Sequence, residues 1–245
     1  IVGFAGFVDA IAGGGGIISL PAYFLTGMPA HVCYGTNKFS SACGTTLAAA
    51  TYLKHGAINV KVAVIAAIGS FIGSNIGSHI VLLLDDKILK LMLIVCMPVI
   101  AVIIFVKKLG GDEDRSYLLG PVKIMIYGFL VGFFVGGYDG IFGPGTGTIA
   151  AIAFTAFMHF DLKTATGNTK VLNLASNVSA LVTFWMAGTI DFRYAIPAGA
   201  CNVIGALIGS QMAVRKGSGF IRPVMICVIV LLMGKVAYDL VTEVM

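Results

Sequence analysis

Charged side chains are scarce in this sequence. Asp, Glu, Lys and Arg make up 11% of its 245 residues, where a soluble domain carries roughly 25%, while hydrophobic residues make up 58%. That deficit excludes a soluble globular protein and points to an all-α integral membrane protein. Apolar runs such as "LMLIVCMPVIAVIIFV" approach the ~20 residues that cross about 30 Å of hydrocarbon. Strand-like alternation with short turns is missing, which argues against a β-barrel. The longest polar stretch, "KKLGGDEDRS" at 107–116, leaves no room for a soluble domain. Trp185 is the only tryptophan, which argues against stacking of a nucleobase. The five cysteines, Cys33, Cys43, Cys96, Cys201 and Cys227, form no C-x-x-C and read as small packing residues. No His/Cys/Asp group has metal-ligand spacing, so no metal, cofactor or catalytic residue is expected. The net charge of +5 clusters at segment ends, as topology signals do, so the expected partners are a lipid bilayer and a small anionic substrate, not nucleic acid. The chain opens at Ile1, and a leader or part of a first helix is expected to precede it.

Glycine, by contrast, is plentiful, and its placement is informative. The stretch Asp9 to Pro21 reads "DAIAGGGGIISLP". Each glycine weakens a helix by about 1 kcal/mol, and a carboxylate in hydrocarbon costs at least a few kcal/mol. Both stand here amid oily sequence.

The chain also repeats itself. Gly56-Ala57-Ile58-Asn59 matches Gly188-Thr189-Ile190-Asp191 at an offset of 132 positions, as "GSFIGSNIGS" (69–78) matches "CNVIGALIGS" (201–210) and Lys38 matches Lys170. Earlier in each copy the offset is 130: Asp9 falls on Asp139, Gly13 on Gly143 and Gly15 on Gly145. The expected organisation is a first transmembrane repeat over 1–110, a polar loop over 111–116 and a second repeat over 117–245. Full-length segments are expected at about 34–53, 60–84 and 87–106, and at 166–186, 192–213 and 221–242. Before each trio lies a glycine-broken element with a short apolar arm, Ile17 to Met28 and Ile149 to Met158. The G-x-x-x-G spacings Gly73/Gly77 and Gly205/Gly209 read as close helix packing. Placing the lysine- and arginine-rich loops at 54–61, 107–116 and 214–222 on one side of the membrane requires the second half to be upside down. That inverted repeat works if each broken element enters and returns, or crosses twice.

Broken helices in inverted-repeat transporters meet near the midplane and form the substrate site. Non-helical backbone at that depth lines a cavity or is buried in protein. A helix N-terminus approached by glycines offers N–H groups to an anion. No Gly-Lys-Ser/Thr follows, so this is not a P-loop. The candidate substrate-binding residues are Gly13, Gly14, Gly15 and Gly16, with Gly143, Gly145 and Thr146 in the second copy; Thr148 could add a hydroxyl. "YGTNKFSS" pairs with "TGNTKVLN", so Thr36, Asn37 and Lys38 stand against Asn168, Thr169 and Lys170. Each set places an ammonium at an expected helix start, where the macrodipole disfavours it. Anion binding explains this; snorkelling to headgroups is the bland alternative. Asp9 and Asp139 are candidates for proton coupling, or else cap the broken helices or pair with Lys38 and Lys170. His31 and His159 do not align in the repeat and read as loop residues, and Cys33 near His31 is weak evidence for a thiol nucleophile.

The segment "GFVDAIAGGGGIISLPAYFLTGMPAHVCYGTNK", with its degenerate copy "GGYDGIFGPGTGT…TGNTK", resembles the sulfite exporter TauE/SafE family, also called the toluene sulfonate uptake permease family. The resemblance spans essentially the whole chain. It implies a multi-pass permease of the bacterial inner membrane for sulfite, sulfoacetate, sulfonates or related organic anions. It also implies about eight spans in two four-span repeats, where the charge pattern favours about ten segments. The matching positions are Asp9, Gly13 to Gly16 and Thr36 to Lys38, and in the second half Asp139, Gly143, Gly145 and Asn168 to Lys170. Pro144 and Thr146 depart from the glycine pattern, so the two halves of the expected anion cradle are chemically unequal. A passive anion channel is the near alternative. An intramembrane aspartyl protease, whose two carboxylates share a proton, is the distant one.

Overall fold

The computed structural model describes residues 1–89, 91, 113–227 and 230. The expected segments 87–106 and 221–242 and the loop 107–116 lie largely outside them. Among the described residues the chain is helical, without strands. It runs α1 (Val2–Ala12), α2 (Gly16–Phe24), α3 (Ala30–Lys54), α4 (Val60–Leu83), a 3₁₀ turn (Ser116–Leu118), α5 (Pro121–Ile141), α6 (Thr146–Met158), α7 (Leu162–Met186) and α8 (Phe192–Lys216). A ninth helix, α9, covers Ser218–Cys227.

Helices α4, α5 and α8 are long and apolar enough to cross a membrane. Their outer faces expose Ile68, Phe71, Ile72 and Ile76, then Ile126 and Phe134, then Ile196, Ile204 and Ile208. That is the apolar belt a lipid-facing surface needs. Helices α3 and α7 are equally long, 25 residues each, but bury Thr, Asn, Ser and Lys. They pack on each other and on α4 and α8, so the outer helices shield their polar side chains from hydrocarbon.

Helix directions follow from the contacts. Gly35 lies against Phe184, Thr45 bonds Asn177, and Gly167 lies against Ala57, so α3 and α7 run antiparallel. Gly3 meets Cys201 and Phe7 meets Gly209, while Gly35 meets Thr189 and Gly44 meets Asn202; α1 and α3 therefore both run along α8. Helix α2, between α1 and α3, turns back to the end from which α1 came. In the other half, Phe129 lies against Gly69 and Gly137 against Gly77, and Ser74 donates to the Ser176 carbonyl at 2.8 Å. Helices α5 and α7 thus run along α4, and α6 turns back between them.

The contacts come in reciprocal pairs. The backbone N–H of Asn59 donates to Asn168 Oδ1 at 2.8 Å, and that of Asp191 donates to Thr36 Oγ1 at 3.1 Å. These are one bond made twice, since Asn59 corresponds to Asp191 and Thr36 to Asn168. A Cβ on Gly167 would fall 1.8 Å from the Ala57 carbonyl oxygen and one on Gly35 2.1 Å from that of Thr189, again matched positions. The G-x-x-x-G faces do the packing the sequence suggested: Gly73 and Gly77 sit on α5, Gly205 and Gly209 on α1.

The two ends of the bundle differ in charge. Ala57 beside Gly167, the Arg115 N–H on the His159 carbonyl at 2.9 Å, and a cluster joining Tyr52, Ala57, Leu162, Ala213 and Ile221 bring one set of chain ends together. That end carries Lys54, Lys61, Arg115, Lys123, Lys163, Arg215 and Lys216. The opposite end, built around Leu20, Ala30, Val81, Leu89 and Ile190, carries Lys87 and Arg193.

Candidate functional site

Helix α1 stops where Gly13 adopts a left-handed φ of 75° and its N–H closes on the Asp9 carbonyl at 2.8 Å. Gly143, at the equivalent position after α5, has φ 83°. The tips of the two helical hairpins then touch. The N–H of Gly147 donates to the Gly13 carbonyl at 3.1 Å, and Thr148 Oγ1 donates to the Ala12 carbonyl at 2.8 Å. A Cβ on Gly13 would lie 2.2 Å from Gly147 Cα, so no other residue fits.

Lys38 and Lys170 do not stand at helix starts, as the sequence suggested. Pro29 is the N-cap of α3, and the Asp161 carboxylate caps α7 by accepting the Thr164 N–H at 3.0 Å. Both helices therefore begin eight residues before their lysines. The ammonium groups lie two turns inside, with Lys38 2% and Lys170 0% exposed, which rules out snorkelling. Each reaches across to the other half's hairpin. Lys38 Nζ donates to the Asp139 carbonyl and to its Oδ2, both at 2.7 Å, and to Asn177 Oδ1 at 3.3 Å. Lys170 Nζ donates to the Asp9 carbonyl.

The carboxylates are held differently. Asp139 also accepts from Thr146 Oγ1 on Oδ1 at 2.8 Å and from Ser176 Oγ on Oδ2 at 2.6 Å. The Asp9 carboxylate accepts the Gly15 N–H at 3.2 Å. One aspartate therefore pairs with a lysine and the other caps a broken helix, and their oxygens are taken by separate partners, unlike a protease dyad sharing a proton.

Asp9, Gly13, Gly16, Asn37, Lys38, Ser41, Asp139, Gly143, Thr146, Asn173 and Asn177 surround one small polar cavity. Other candidates do structural work elsewhere. Thr36 and Asn168 bond the start of the opposite half's fourth helix, Thr169 bonds its own helix at the Ala165 carbonyl, and Lys170 lies behind the Asp9 backbone. Gly14 and Gly145 belong to the two turns. Ser41, Asn173, Ser176 and Asn177 are additions the motif reading missed. Asn173, Ser176 and Asn177 are spaced i, i+3, i+4 and so lie on one face of α7. Asn173 Oδ1 is buried without a hydrogen-bond partner, and its residue borders the cavity.

The family model for the sulfite exporter TauE/SafE matches residues 1–236. The chain belongs to the TauE/SafE family. Relatives of this TauE/SafE chain include a Haemophilus influenzae protein named "Probable membrane transporter protein". It is 37% identical over 240 residues, covering 97% of this chain and 92% of the relative. The "Probable membrane transporter protein ORF9" of a Sinorhizobium species is 34% identical, with 96% and 89% covered. The "Probable membrane transporter protein YfcA" of Escherichia coli K12 is 31% identical, with 96% and 86% covered. No solved structure matches the chain.

Proposed function

We propose that this TauE/SafE member is a bacterial inner-membrane permease that moves a small sulfur-containing or organic anion by alternating access. The observation that carries the reading is the polar cavity where the hairpin tips of the two halves converge. Burying Lys38, Asp139 and Asn177 together is costly in a membrane and is retained where it forms a transport path. The Lys38 ammonium, the α2 and α6 N-termini and the amides of Asn37 and Asn173 favour an oxyanion of low charge. Antiparallel α3 and α7, together with the reciprocal contacts, support inverted halves that rock about the cavity. The lysine- and arginine-rich end is the cytoplasmic one by the positive-inside rule.

Counterflow in proteoliposomes tests this. Vesicles loaded with sulfite, thiosulfate, sulfoacetate, taurine or chloride would be assayed with wild type and Asn173→Ala. Counterflow of sulfur oxyanions, weakened by Asn173→Ala, is expected. Flux without counterflow would identify a channel, and flux of chloride alone would remove the substrate class.

A further inference from the structure

We propose that Asp9, and not its repeat-equivalent Asp139, takes up and releases a proton during transport, and that its protonation readies the cavity for an anion. The inference rests on the permease reading above and adds its coupling.

The two aspartates stand at matched positions but have lost their symmetry. Thr146 and Ser176, the hydroxyl donors on Asp139, correspond to Gly16 and Gly44. Neither glycine has a side-chain hydroxyl, so the first half lacks both bonds. Lys38 reaches the Asp139 carboxylate, whereas Lys170 stops at the Asp9 carbonyl. Protonating Asp139 would forfeit a salt bridge and strand a buried ammonium. Protonating Asp9 breaks no salt bridge, since Lys170 bonds its backbone carbonyl and not its carboxylate. Asp9 is also half-buried where Asp139 is 5% exposed, and it borders the cavity.

The groups around Asp9 define the charge change. Helix α2 offers only the Gly15 N–H, and α3 brings Lys38 across the cavity and Tyr52, whose hydroxyl donates to the Ala10 carbonyl at 3.2 Å. Helix α5 brings Asp139 and α7 brings Lys170. Helix α8 meets α1 through Cys201, Asn202, Gly205 and Gly209, none of them charged. Two lysines thus face two carboxylates. When a proton from water on one side forms an O–H bond with Asp9, the site gains one positive charge and complements a monovalent anion. Release of that proton to water on the other side expels the anion. Proton and anion move together, with no net charge.

The test uses the full chain in lipid vesicles with methanesulfonate, whose single charge does not titrate in the working range. In weak buffer near neutrality, binding should take up about one proton per protein, and Asp9→Asn should cut that uptake about tenfold. Infrared difference spectra on acidification should show a carboxylic-acid band that Asp9→Asn removes. Gly16→Ser gives Asp9 a hydroxyl donor and should move that band to lower pH; its Cβ would lie 3.2 Å from Pro144 Cα, a contact a small shift can absorb. A band and proton uptake that survive Asp9→Asn, or a band unmoved by Gly16→Ser, overturn the assignment. Methanesulfonate exchange without proton uptake in wild type overturns the coupling. If no sulfonate binds or exchanges, the permease reading fails, and the infrared band alone still decides Asp9.

Discussion

Thr45 and Asn177 occupy the same position in the two halves, and they bond to each other, Nδ2 to Oγ1 at 3.3 Å. Asn177 also accepts from Lys38, so it joins Thr45 to the buried ion pair. Asn177→Ala should lower stability by about 1–3 kcal/mol, the cost of leaving buried polar partners unsatisfied. Thermal unfolding in detergent measures it, and an unchanged midpoint would show the bond to be idle.

The Lys38–Asp139 pair is nearly fully buried, with side chains 3% and 7% exposed. Lys38→Met should destabilise by about 3–5 kcal/mol because it abandons a buried carboxylate. Adding Asp139→Asn should recover part of that loss. A double-mutant cycle reads the coupling, and additive effects would contradict the ion pair.

The Gly13–Gly147 contact tolerates no side chain. Gly13→Ala combines a clash at 2.2 Å with a left-handed φ of 75°, a conformation that costs an L-residue about 1–2 kcal/mol by itself. Gly27, also left-handed but with open space around it, is the control. Size-exclusion profiles should show Gly13→Ala and Gly147→Ala aggregating or losing transport while Gly27→Ala remains folded.

Sidedness follows from the charge distribution. Single cysteines replacing Lys54, Lys61 or Arg215 in a cysteine-free background should react with an impermeant maleimide only from the cytoplasm. Arg193→Cys should react only from outside. Labelling of Lys54→Cys and Arg193→Cys from the same face would refute the orientation.

Much of this was legible in the sequence. The residues of the reciprocal contacts, Asn59 and Asn168 with Asp191 and Thr36, fall at the repeat offset of 132. The glycine runs marked the hairpin tips, since a left-handed residue and a backbone-to-backbone approach both demand glycine. What motif reading could not supply was which half each side chain serves. Lys38 and Lys170 looked like helix-start residues facing a ligand or headgroups, because the N-caps at Pro29 and Asp161 lay nine residues upstream. The partner of Lys38 lies 101 positions away, and only the packing of α3 against the second hairpin brings them together. Ser176 and Asn177 belong to no shared motif, since their counterparts are Gly44 and Thr45, yet they hold Asp139 and Lys38.

The paired contacts carry a historical consequence. The reciprocal bonds between Asn59 and Asn168 and between Asp191 and Thr36 are those two identical half-length chains would make as an antiparallel homodimer. A chain cut within the 107–116 loop should therefore reassemble from its pieces. In such a dimer the aspartates would have been twins, each bound to do whatever the other did. A single polypeptide leaves two matched aspartates free to differ, and here one is held by a lysine and two hydroxyls while the other accepts the Gly15 N–H.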